Sequence, residues 1–295
     1  MFDRNYFVVA PNFHGATILS RLLNAHSDIV SLGDTYPSRT FDQICGCGEY
    51  VSQCPFWLDV ARSVSSERYP QEAALLPRYP SIFGFSGDSL MYNTLPEYLL
   101  TKLLKPAHLN LYSDDYQRFL QAVHRHHANT QPTVFVDGVK SISRVQALKL
   151  ADVPVSGVIH ITRSPYDFVK SSEKQGQSAH KAALGYRMYH KMASRIQGKI
   201  PYIRISYEEL ATSTNQTLEQ LFTFMDVPIM KLDELRENFG ETWHFMGNAS
   251  LLKFDGTMRL SKYEIEEGTK KKIIRLSGKQ PPFVYSQSHK GVRSS

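Results

Sequence analysis

Long hydrophobic runs are missing from this sequence. The longest apolar stretches, Tyr6 to Pro11 and Val155 to Ile161, fall far short of the roughly 18 residues a membrane-spanning helix needs, so no crossing of a bilayer is expected. Near its start the sequence carries Asp3 and Arg4 and then enters a strand-like run, without the basic stretch, long apolar core and cleavage site of a secretory leader. A cytoplasmic location is therefore the expectation. No self-similarity at a period of about 20–50 residues is found, and Gly and Pro stand near ordinary usage, which excludes solenoid, collagen-like and low-complexity readings. Cysteine is scarce: Cys45, Cys47 and Cys54 are the only three. An odd, clustered set is a poor disulfide framework. The spacing C-x-C-x6-C offers three of the four ligands a structural zinc wants, and no nearby His supplies the fourth. The expectation is an ordered surface loop without a metal.

What is present is enough apolar material for a core. Of 295 residues, 42% are hydrophobic and 21% charged, which suits one large domain and rules out disorder as the main state. The formal charge of +6 invites an anionic partner, but Lys and Arg are spread along the chain apart from Lys270-Lys271-Lys272, which reads as a solvated helix face. A nucleic acid and a small anionic cofactor fit a diffuse excess equally. With no helix-turn-helix, zinc or RRM signature, no nucleic-acid partner is expected.

Four short β-branched or aromatic runs read as buried strands: Tyr6 to Ala10, Thr133 to Val136, Gly157 to Thr162 and Pro201 to Ser206. Each is followed by a turn and then by helical periodicity, as in Ile18, Leu19, Leu22 and Leu23, or Leu218, Leu221, Phe222 and Met225. That rhythm predicts an α/β fold, a three-layer sandwich with a central parallel sheet and helices on both faces. From about 45 to 132 the rhythm breaks into Pro- and Tyr-rich loops and helices such as Asp115 to His127. This predicts an insertion over the carboxyl edge of the sheet, where open α/β folds build acceptor pockets. Pro281-Pro282 begins a polar tail, 281–295, that is expected to fray. Nothing separates independent domains, so residues 1–295 are read as one.

Two loops suggest chemistry. After the first strand, Pro11-Asn12-Phe13-His14-Gly15-Ala16-Thr17 opens a helix, aiming backbone N–H groups and the positive dipole end at one spot that suits a phosphate. The kinase string G-x-x-x-x-G-K-[ST] is absent. After the third strand, Thr162-Arg163-Ser164-Pro165-Tyr166-Asp167 leads through a helix start to Ser171. An Arg fork and a hydroxyl at a helix N-terminus make a second anion site. Both loops lie at the same edge of one sheet and together suit a cofactor with phosphates at both ends.

At these residues the sequence resembles the sulfotransferases that use 3′-phosphoadenosine 5′-phosphosulfate (PAPS). Phe13, His14, Gly15, Ala16 and Thr17 look like the family's 5′-phosphosulfate loop, and Arg163 to Ser171 like its 3′-phosphate motif. Further matches follow in order: Cys45 to Trp57 with the cysteine-bearing loop of many bacterial members, Asp137-Gly138-Val139-Lys140 with their strand-end Asp-x-x-Lys, and Ser206-Tyr207-Glu208-Glu209-Leu210 with their "RYEDL" segment. His244 with Gly247-Asn248 resembles their late H-x-x-GN loop. The resemblance runs from about residue 5 to about residue 260. It implies sulfonate transfer from PAPS, leaving PAP, to a hydroxyl or less often an amine of a small-molecule acceptor, by a monomer or homodimer without a metal. Cofactor binding would then fall to the two loops, Tyr207, Gly247, Asn248 and Lys253.

The first loop departs from the family, which carries Lys or Arg just before Ser-Gly where this chain has Phe13 and His14. Lys140 is the resemblance's replacement cation against the sulfonate, and His14 is a second if protonated, near its ordinary pKa of about 6.5. The resemblance puts the base for the acceptor's proton at Asp34, with His14 as the alternative. Tyr207 and Glu208 are expected to pack against the cofactor loop. His124, His126 and His127 read as solvated or as pocket rim. Tyr69, Tyr79, Phe83, Phe85 and Tyr92 would line an apolar acceptor pocket. A catalytically inactive PAP-binding module, motivated by the missing loop cation, and a basic nucleic-acid-binding domain are the competing readings.

Overall fold

In the computed structural model the chain is described at residues 1–33, 43–64, 99, 101–102, 104, 106–240, 244–245, 254–260, 263–282 and 284–286. Within them a six-stranded sheet forms from β1 (Arg4–Val9), β2 (Ile29–Ser31), β3 (Val134–Lys140), β4 (Gly157–Thr162), β5 (Tyr202–Ser206) and β6 (Val284–Ser286), in the order β2-β3-β1-β4-β5-β6. The first five run parallel, and β6 joins β5 antiparallel. The two central strands are apolar on both sides: Tyr6 through Val9 and all of Gly157–Thr162 are buried. Strands of that kind need cover on both faces.

Helices supply it. On one face α1 (Ala16–Asn24) and α8 (Thr214–Met225) pack Leu19, Leu22, Leu23, Leu218, Leu221 and Phe222 against the sheet. On the other, α2 (Pro55–Val64), α3 (Pro106–His126) and α4 (Ile142–Leu150) bury Trp57, Tyr116, Phe119 and Leu148. Helices α5 (Pro165–Glu173) and α6 (Ala179–Ser194) follow β4, and α7 (Tyr207–Thr212) follows β5 directly. Ser206 caps α7 in a reciprocal box with Glu209, which turns the chain sharply at the strand end. Beyond α8 come α9 (Leu232–Glu237) and α10 (Glu267–Ser277). The three-layer α/β architecture expected from the sequence is the one observed.

Two boundaries differ from expectation. The third strand runs on through Asp137-Gly138 to Lys140, because Gly138 has no Cβ where one would meet the Gly33 carbonyl oxygen at 2.3 Å. Fraying from residue 281 does not hold at Val284–Ser286, which pairs Val284 with Arg204 and Ser286 with Tyr202. A three-residue edge strand is too short to read from its own pattern.

Candidate active site

The carboxyl edge of the sheet gathers the first loop, the end of β3 and the start of α5. β1 pairs with β3 on one side and β4 on the other, and a register shift between Phe7 and Val9 sets Val9 opposite Lys140. That irregularity carries Lys140, at φ 66°, to the point where the chain leaves β1. A residue that is neither Gly nor Asn rarely adopts this backbone, and such strain gathers at functional sites.

Within the loop, Phe13 (φ 64°) and Gly15 (φ 81°) are left-handed, and Gly15 is the N-cap of α1. A Cβ on Gly15 would lie 2.5 Å from Cδ2 of Tyr207, so the Tyr207 ring forms the floor under the turn. Arg163 rests on that ring, 5.0 Å from its centroid, and its Nη1 donates to the Phe13 carbonyl at 2.6 Å. One guanidinium thus ties the two candidate anion loops together. Its segment is fixed in turn: the Ser164 N–H donates to Glu208 at 2.8 Å, and the Tyr186 hydroxyl donates to the Arg163 carbonyl at 2.7 Å. Ala16 is buried, Thr17 is half-buried, and Ser171 sits half-buried on α5. Among the described residues no side chain caps α1 or α5, so first-turn N–H groups of both helices are left for an anion.

Asp137 faces away from solvent. It accepts from Arg144 at 3.0 and 3.1 Å and from the Tyr116 hydroxyl at 3.1 Å, a buried ion pair that anchors β3 to α3 and α4. Of the strand-end Asp-x-x-Lys, then, the acid is structural and the lysine lies at the sheet edge.

His14 is 1% exposed, and its ring has turned inward among Phe168, Tyr186 and His190. Nδ1 lies 2.9 Å from the Asn12 carbonyl and Nε2 lies 3.2 Å from Nε2 of His190. Burial, opposed by the Asn12 bond and reinforced by the charges of Arg163 and Lys140, lowers its pKa to about 3. The expectation of a protonated His14 as the loop's cation is corrected here: the ring is neutral, and both nitrogens are engaged. Behind it His190 meets His160 at 2.7 Å, and His160 in turn meets Tyr202 and Arg204. No pattern in the sequence marks these three histidines as neighbours, since they come from a loop, a helix and a strand.

Asp34, Gly247, Asn248 and Lys253, and the aromatic set Tyr69, Tyr79, Phe83, Phe85 and Tyr92, lie outside the described residues. On α3, His126 bonds to Asp59 and the neighbouring His127 to the Val123 carbonyl, each at 2.9 Å, while His124 meets the edge of Phe2. The hydrogen bonds of His126 and His127 go to different partners, while both rings meet Phe56.

Among solved structures the chain resembles the sulfotransferase domain of the Synechococcus PCC 7002 olefin synthase, at 13% identity and a TM-score of 0.49 over 85% of this chain and 82% of that one. It also resembles the sulfotransferase domain from the curacin biosynthetic pathway, at 16% identity and 0.44 over 93% and 97%, and the sulfotransferase STF9 from Mycobacterium avium, at 14% and 0.45 over 93% and 76%. Its structural neighbours are sulfotransferase domains. A likeness at that level assigns no residue and no activity. No protein-family profile and no curated protein matches the sequence.

The cysteine loop is the other departure from expectation. Cys45 and Cys54 are fully buried, not on a surface loop, and the fourth ligand that the local spacing lacked arrives from far along the chain. His244 brings its Nδ1 to the three sulfurs, and the four ligand atoms all lie within 4.8 Å of one another. Only the fold could bring a histidine almost 200 residues away to that loop.

Proposed function

We propose that the protein transfers a sulfonate from PAPS to a hydroxyl, less often an amine, of a small-molecule acceptor, as a member of the PAPS-dependent sulfotransferases. The observation that carries this reading is the Arg163 to Phe13 bond at 2.6 Å over the Tyr207 ring. It sets two uncapped helix starts beside one buried guanidinium, a donor set suited to an anion bearing separate phosphates. The Gly15 turn fits too, since its left-handed backbone, with the Tyr207 ring packed where a Cβ would stand, leads the chain directly into the uncapped start of α1.

When bound, PAPS supplies the activated sulfonate. In this reading Arg163 and Ser171 hold the 3′-phosphate, and residues 13–17 hold the 5′ end through backbone N–H groups. Lys140, at the sheet edge beside β1, stabilises charge on the sulfonate oxygens, a contribution strongest in a water-poor site. The acceptor proton goes to a carboxylate, assigned to Asp34 from the sequence. His14 is left out of proton transfer because its lone pair is already directed at His190.

A second reading, a PAP-binding module without turnover, is favoured by one observation: the neutral, inward His14 leaves residues 13 and 14 without a cation. Both readings predict thermal stabilisation by PAP, since a ligand that binds only the folded state stabilises it by linkage. ATP lacks a 3′-phosphate for Arg163 and should stabilise far less. Equal shifts with PAP and ATP would defeat the two-site assignment. Gain of one sulfonate by a metabolite pool incubated with PAPS, read by mass spectrometry, separates the enzyme from the inactive module.

A further inference from the structure

We propose that Cys45, Cys47, Cys54 and His244 form a structural zinc site that staples the loop before α2 to the segment at 244–245. The argument begins from the spacing of the ligand atoms. Zinc bonds of about 2.3 Å to sulfur and about 2.0–2.1 Å to nitrogen, set tetrahedrally, require S···S edges of about 3.8 Å and S···N edges of about 3.6 Å. Of the six edges, four are 3.6 Å for Cys47–Cys54, 3.7 Å for Cys45–Cys54, 3.6 Å for Cys45 to His244 Nδ1 and 3.4 Å for Cys54 to the same nitrogen, and the other two, Cys45–Cys47 and Cys47–His244, lie within 4.8 Å. A disulfide would need a sulfur pair at about 2.05 Å. None of the three cysteines is in one, and an odd number of thiols at these mutual distances is the geometry of a shared centre.

The surroundings prepare the same arrangement. Cys45 accepts from the Cys47 N–H, and Cys54 accepts from the Trp57 N–H at the start of α2, contacts that orient both sulfurs. Gly48, at φ 94°, closes the turn, with its N–H donating to the Cys45 carbonyl at 2.9 Å. The His244 ring stacks flat on Phe56, with centroids 4.6 Å apart and planes 4° from parallel, which fixes the direction of Nδ1. Four protein ligands, two of them fully buried, leave no open position, the mark of a structural and not a catalytic zinc. Binding displaces a proton from each thiol, so one zinc and three thiols give a zinc–tris-thiolate–imidazole centre of net charge −1 and three released protons.

The test uses the full chain, purified without chelator from zinc-supplemented medium. Elemental analysis should give about one zinc per chain. After zinc removal, cobalt(II) should restore one equivalent with thiolate-to-cobalt charge transfer and the intense visible bands of a tetrahedral ion. Cys47→Ser, at the half-exposed ligand, should lose the charge-transfer intensity of one thiolate and weaken metal retention at least about tenfold. His126→Asn, a control at the other histidine cluster, should retain full zinc. Zinc below about a tenth of an equivalent, or weak six-coordinate cobalt bands in the wild-type protein, would overturn the proposal without relying on any variant. So would unchanged spectra in Cys47→Ser, loss of zinc in His126→Asn, or a disulfide in protein purified without oxygen.

Discussion

The Nε2 atoms of His14 and His190 lie 3.2 Å apart, so one of them carries a hydrogen and the other a lone pair. Arg204 Nε–H points at Nδ1 of His160, which makes that nitrogen an acceptor and leaves its hydrogen on Nε2. From there each ring donates to the next: His160 to His190, His190 to His14, and His14 to the Asn12 carbonyl. Every ring is neutral, with its tautomer set by the arginine at one end and the carbonyl at the other. The chain pins the first loop to β4 and α6.

That arrangement makes the fold acid-sensitive. Burial holds His14 at about 3 and His160 and His190 well below the ordinary 6.5, so between these values the unfolded chain binds more protons than the folded one. Stability is therefore full above pH 6.5 and falls on acidification. Such groups predict a loss on the order of a few kcal/mol between pH 7.5 and 5.5. Urea midpoints at the two pH values measure it, and unchanged midpoints would refute the neutral chain.

Arg163 is expected to be sensitive even to lysine, because an ammonium cannot reproduce a bidentate fork. Arg163→Lys should weaken PAP binding by about 2–5 kcal/mol, roughly thirtyfold to several thousandfold. Ser171→Ala should cost less, about 1.5–3 kcal/mol. Calorimetry with PAP and with its 3′-dephosphorylated form separates a phosphate contact from a structural role. Equal losses for both ligands would leave Arg163 as a brace for the Phe13 loop.

Lys140 and Asp34 should divide turnover from binding. Lys140→Met is expected to lower kcat by about 10²–10³, as removal of one charge-stabilising donor does, with little change in PAP affinity, since PAP lacks the sulfonate. Asp34→Asn should lower kcat by about 10²–10⁴, again sparing PAP. Steady-state sulfonate transfer and PAP titration provide both readouts. Near-normal turnover in Asp34→Asn would require another base.

Gly15→Ala combines two penalties: a left-handed backbone at φ 81° and a Cβ 2.5 Å from the Tyr207 ring. Together they should destabilise the protein by about 2–4 kcal/mol. Adding Tyr207→Ala should remove the steric share and leave the backbone share, a coupling that a double-mutant cycle on chemical denaturation resolves. Strict additivity would mean that the ring and the turn do not touch.

The sequence by itself determined the layers. Apolar runs such as Gly157–Thr162 can be satisfied only inside a covered parallel sheet, and the alternation with helical periodicity follows from local chemistry. It also placed the two turns that open α1 and α5, because a turn that opens a helix is written in consecutive residues. The tertiary structure alone decided which distant groups share an environment. His14, readable as a loop cation, is neutral because Phe168 from α5 and Tyr186 and His190 from α6 arrive to bury it. Cys45, Cys47 and Cys54, readable as a surface loop, gain His244 from the far end of the chain. Charge state and ligand sets depend on dielectric and on neighbours within a few ångströms, and those neighbours are set by chain crossings that no local spacing records.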